Sequence, residues 1–112
     1  MMKLGEAEVE KQITDKIKNS HFVYENTPAY LWISSFLGKK VSHTELRSVC
    51  SAIAESTGIN MGREYYRRKV TCYLWLHENF EEIKKLMVKP VRLQFNIGPI
   101  DIPLPQTIYS KL

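Results

Sequence analysis

The chain is poor in the features that announce chemistry. It holds only two cysteines in 112 residues, Cys50 and Cys72, with no Cys-x-x-Cys pair. That excludes a disulfide framework and a paired-thiol zinc knuckle. His43, Cys50, Cys72 and His77 do not follow the spacing of metal ligands either, so no metal is expected. Gly-x-Ser-x-Gly, Gly-x-Gly-x-x-Gly, phosphate-binding glycine-loop and His-Glu-x-x-His motifs are all missing. Cys72 and His77 are five positions apart, roughly 140° around a helix, which does not make a nucleophile and base. Glu81 and Glu82 diverge from a helix surface and imply no catalytic partner. The expectation is a protein without enzymatic activity or cofactor.

Long apolar runs are lacking as well. The longest, residues 28–37, is interrupted by Ser34 and Ser35 and is too short to span a bilayer. Glu6, Glu8 and Glu10 stand where a secretory signal needs apolar residues. Both observations predict an intracellular protein, nuclear or cytoplasmic, with no membrane partner. The two cysteines are then expected to be reduced and buried as small hydrophobes.

What is present describes a folded domain. An apolar content of 44% with 25% charged residues excludes collagen-like, low-complexity and wholly disordered chains. A chain of this length buries about two-thirds of its unfolded surface, enough for one core, so residues 1–112 are read as a single domain. Sixteen basic residues oppose twelve acidic ones, and the excess is concentrated after position 42, where ten basic residues meet seven acidic. Arg63, Arg67, Arg68 and Lys69 surround a single acid, Glu64. Such a focus of positive charge attracts phosphate or an acidic protein surface; its bland counterpart is a solvated helix face.

Periodicity predicts four helices. Val9, Ile13 and Ile17 form a narrow stripe on a helix over about 6–19. Thr27-Pro28 is an N-cap followed by proline at the first helical position, opening a helix over 28–37 that is apolar almost all round. Gly38 closes it, leaving Lys39 and Lys40 in an exposed loop. Ser42 and Glu45 fit the capping box of a third helix, 43–57, whose Leu46, Val49, Cys50 and Ile53 repeat at helical spacing up to a left-handed Gly58. A long helix is predicted over 63–87, with Arg63, Arg67 and Thr71 on its outward face and Leu74 and Trp75 toward the polar side. After Pro90 the period falls to two, which predicts a β-hairpin over about 91–104 turning at Gly98-Pro99, with Val91, Leu93, Phe95 and Ile97 facing the helices. Pro103 and Pro105 cannot donate to a ladder, so the second strand is an edge or frays.

The run from Ile53 to Asn60 resembles the first helix and turn of a helix-turn-helix DNA-binding unit, with alanine at the helix approach and Gly58 at the turn. The resemblance covers about residues 46–70. The apolar position the family expects in its second helix falls on Glu64, with Tyr65 one place late. A helix-turn-helix followed by a hairpin is also the order of winged-helix domains, although the tip from Ile97 to Ile100 carries no basic residue. The Glu64-Tyr65-Tyr66 start of the long helix is similar to the last helix of KIX-type domains, which bind amphipathic activation segments.

The expected fold is therefore mainly α, with about four helices and a C-terminal two-stranded hairpin, winged-helix-like in order. The leading reading is a small nucleic-acid-binding or transcription-related domain that contacts duplex DNA through Arg63, Arg67, Arg68 and Lys69, with Lys39 and Lys40 in support. The alternative is a protein-interaction module or assembly subunit, a homo-oligomer included, that holds an acidic or amphipathic partner through Ile97, Ile100 and an exposed Trp75.

Overall fold

The computed structural model describes residues 5–95 and 98–105. The helices begin where the sequence places their caps. Helix α2 (Pro28–Leu37) starts on Thr27, whose hydroxyl accepts from the Tyr30 amide at 3.2 Å. Helix α3 (His43–Thr57) starts on a complete capping box: Ser42 Oγ accepts from the Glu45 amide at 3.1 Å while Glu45 accepts from the Ser42 amide at 3.3 Å. Two otherwise orphaned donors are satisfied by this exchange. The helix stops at Gly58, whose φ of +77° is the left-handed conformation an L side chain resists. Helix α1 (Glu6–Ser20) precedes them and ends on His21, itself left-handed at φ +52°.

The segment expected as one helix over 63–87 is divided. Arg63–Arg67 forms a 3-10 turn, Arg68 is extended, and α4 (Lys69–Glu78) and α5 (Phe80–Leu86) follow, separated by Asn79. Thr71 supplies the reason for the first break. Its hydroxyl accepts from the Arg68 amide at 3.2 Å and lies 2.8 Å from the Tyr65 carbonyl, which makes Arg68 an N-cap rather than a helical residue. Thr71 is consequently buried, not outward.

Helix α4 is the centre of the core. Thr71 to Leu76 are six consecutive buried residues, enclosed by α2, α3 and both 3-10 turns, Tyr24–Asn26 and Arg63–Arg67. Trp75 is only 2% exposed and donates from Nε1 to the Asn60 carbonyl at 3.1 Å, so the contact surface expected there does not exist. Tyr73 stacks on Tyr24 with ring centres 4.6 Å apart. In α2, Ala29, Trp32 and Ile33 are buried, whereas Leu31 is half-exposed; this helix is not apolar-covered all round as its composition suggests.

Strands β1 (Val91–Phe95) and β2 (Gly98–Ile102) form an antiparallel hairpin, β1 against α3 and β2 against α2. Val91, Leu93 and Phe95 pack on the core, and Ile102 is fully buried. The register differs from expectation. Phe95 lies opposite Gly98 and Leu93 opposite Ile100, so Gly98 and Pro99 belong to the strand. A turn at Gly98-Pro99 would set Leu93 opposite Leu104, which differs by an even number of residues and keeps every side chain on its face. The observed register leaves Pro103 and Pro105 beyond the ladder, where their missing amides do no harm. It also sets Arg92 opposite Asp101 in a two-pronged ion pair of 2.9 and 3.3 Å. Trp32 Nε1 then ties the outgoing chain to α2 through the Pro103 carbonyl, 3.0 Å away. Among the described residues no helix is long and apolar enough to cross a membrane.

Candidate nucleic-acid interface

The face of α3 opposite its buried stripe carries Thr44, Arg47, Ser48, Ser51, Ala52 and Glu55, spaced three and four apart. This face is the floor of a cleft. Tyr66 stands on one side and Leu93 of β1 on the other, bounding a broad, open depression of about 750 Å³. At the start of α3 the cavity continues into a second one of about 480 Å³, lined by His43, Arg47, Arg63, Tyr66 and Arg67. Toward the end of α3 it continues into a third, bounded by Lys89, Val91 and Arg92. Arg47 and Tyr66 are shared by the first two cavities, and Ala52, Glu55 and Leu93 by the first and third. The three are one cleft along α3.

Its basic end is built by two elements locked together. His43 Nε2 lies 2.7 Å from the Tyr66 carbonyl, so that nitrogen carries the proton and donates it. The bond fixes the 3-10 turn bearing Arg63, Tyr66 and Arg67 against the start of the helix bearing Arg47. Three arginines thus line one open depression. Acidic groups approach this end as well, and Glu10 of α1 pairs with Arg67 at 3.2 Å. Below the floor, Cys50 and Cys72 are both buried and unbridged, and burial pushes the Cys50 thiol well above its ordinary value. They serve as core residues.

Of the basic residues expected to bind nucleic acid, the cleft brings together Arg63 and Arg67. Arg68 is exposed but donates to Thr14 of α1 at 3.3 Å. Lys69 is half-buried at the start of α4, and Lys39 and Lys40 are exposed in the loop after α2. None of these four lines the cleft. Of the expected partner-binding residues, Trp75 is core, Ile100 is half-buried opposite Leu93, and Ile97 lies outside the described residues.

Sequence reasoning missed Arg47 and His43. A signal for both exists: they are four apart on the polar face of a helix whose apolar face is unambiguous. Tyr66 is one of several aromatics in the sequence that could stack a base, but a tyrosine at helical spacing is more often core. No family model, curated protein or solved structure matches the chain.

Proposed function

We propose that the protein is a small nucleic-acid-binding domain that holds backbone phosphates at the basic end of the α3 cleft. The observation that carries the reading is that Arg47, Arg63 and Arg67 line one open depression. Guanidinium forks engage phosphate oxygens in pairs and stay charged at any physiological pH. His43 acts as a positioning residue: its bond to the Tyr66 carbonyl sets the distance between Arg47 and the two arginines of the turn. The work of such a domain belongs to the nucleus or the cytoplasm.

A salt titration tests this. If three phosphates are neutralised, log affinity falls against log salt with a slope of about −2 to −3. Between about 50 and 200 mM salt that is a loss of roughly 20- to 40-fold. Arg47→Ala and Arg63→Ala should each reduce the slope by about one and leave the melting temperature nearly unchanged, since both side chains are exposed. Negligible binding of any nucleic acid at about 50 mM salt removes the reading.

A further inference from the structure

The shape of the cleft selects among nucleic acids. Reading a duplex in its major groove requires an element that projects and enters the groove. The basic residues here do the opposite. Arg63 and Arg67 sit on a five-residue 3-10 turn that ends in an extended Arg68, so no helix carries them outward. Arg47 belongs to the floor of a concavity with Tyr66 on one side and Leu93 on the other. The site is a broad, open depression with exposed residues along its floor, so a ligand would lie along it and no projecting helix would enter the ligand.

Tyr66 is placed for such a ligand. It is half-buried, packs against the core, and lines both the basic depression and the larger one beside it. Arginine lies on the first side of it, and the hydroxyl-bearing floor of Ser48 and Ser51 with the apolar wall of Leu93 on the second. An aromatic ring between a phosphate-sized basic recess and a mixed polar and apolar one is the arrangement by which single strands are held, with bases on aromatic faces and phosphates along a basic track. Lys89, at the other end, adds a positive charge beyond Glu55, while Arg92 beside it is held by Asp101.

We infer that the cleft takes single-stranded nucleic acid, with one base stacked on Tyr66 and the adjoining phosphates on Arg47 and Arg63. This rests on the nucleic-acid reading and narrows it to strands with unpaired bases. The test is fluorescence anisotropy on the full chain with single-stranded and blunt duplex oligonucleotides of about 12 nucleotides, a length within known single-strand site sizes. The single strand should bind tighter than the duplex. Tyr66→Leu, which keeps apolar volume but loses the π face, should weaken single-strand binding by about 5- to 150-fold and leave the duplex untouched; Tyr66→Phe should bind like the parent. Photocrosslinking of the unaltered protein to a 5-iodouridine single strand should map to Tyr66, which answers the question even if Tyr66→Leu folds poorly. Duplex binding equal to or tighter than single-strand binding, or a crosslink mapping outside the cleft, overturns this inference while the nucleic-acid reading stands. Failure of both oligonucleotides to bind at about 50 mM salt overturns the reading beneath it.

Discussion

Helices α1 and α4 are attached to the molecule by different means. Six consecutive residues of α4 are buried, and it touches α2, α3 and both 3-10 turns. Among the described side chains of the fifteen-residue α1, Ile13 is buried and Val9 and Ile17 are half-exposed. What holds α1 is largely polar: Glu10 to Arg67, Thr14 to Arg68, and Lys16 to Glu78. Exposed ion pairs of this kind contribute about 0–1 kcal/mol each, whereas a fully buried large side chain contributes several times that. Helix length is therefore no guide to anchorage. Helix α4 defines the fold and α1 is strapped across it. One of the straps, Glu10, holds Arg67, which also lines the cleft, so under the proposed function docking of α1 and capture of phosphate would draw on the same group.

The largest effect should come from the core helix. Trp75→Ala removes a buried indole and orphans the Asn60 carbonyl, and should destabilise by about 3–5 kcal/mol in denaturant unfolding. Ile13→Ala deletes the main apolar anchor of α1. It should fray that helix locally, with hydrogen-exchange protection lost over residues 6–20 and the main unfolding transition moved little. A global loss as large as that of Trp75→Ala would erase the distinction between strap and core.

The same contrast governs how much the sequence discloses. Caps are local chemistry, and Thr27-Pro28, Ser42 with Glu45, and Gly58 all stand where their residue types place them. The mainly helical fold with its terminal hairpin follows from such signals and from the change of period after Pro90. The division of 63–87 does not, because it depends on one buried hydroxyl, Thr71, reaching back to the Arg68 amide. Burial of Trp75 on what reads as a polar side is invisible for a related reason. A helix surrounded on all sides has no wet face for periodicity to find. The cleft was half-legible: Arg63 and Arg67 are conspicuous in the chain, but their meeting with Arg47 depends on the bond between His43 and Tyr66, two residues 23 apart.

A smaller effect is expected inside α4. The Tyr73 hydroxyl is buried and has no hydrogen-bond partner among the described residues, and burial raises its pKa far above the ordinary tyrosine value. Tyr73→Phe keeps the ring stacked on Tyr24 and removes the unsatisfied group. Stability should be unchanged or raised by about 1 kcal/mol, read as an equal or higher melting temperature. A loss of that size would mean that the hydroxyl is satisfied in solution, and that α4 is less dry than its burial indicates.

On the α1 side, Glu10→Gln relieves Arg67 of a carboxylate without shortening the side chain. At low salt the affinity for nucleic acid should rise by up to about 5-fold, the equivalent of an exposed ion pair of at most about 1 kcal/mol, and the gain should shrink as salt screens the charges. Unchanged affinity would separate α1 from the cleft.

The smallest effect concerns the last polar link. The hydrogen bond from Lys16 to Glu78 raises the lysine's pKa above its ordinary 10.5. A raised pKa in the folded state means that proton loss is easier once α1 is released. The contribution of this pair is complete below pH 10.5 and disappears as pH climbs through the raised value. Since Lys16 is more than half exposed, solvent screens the pair and its share of stability is slight. Alkaline titration should therefore loosen the end of α1 near Lys16, visible as faster exchange at residues 16–20, before any change in the signals of buried Trp32 and Trp75. Lys16→Met should show that faster exchange already at neutral pH and lose its dependence on alkali. If instead the tryptophan signals move together with α1, the helix is part of the cooperative core and the strap is an illusion of its polar contacts.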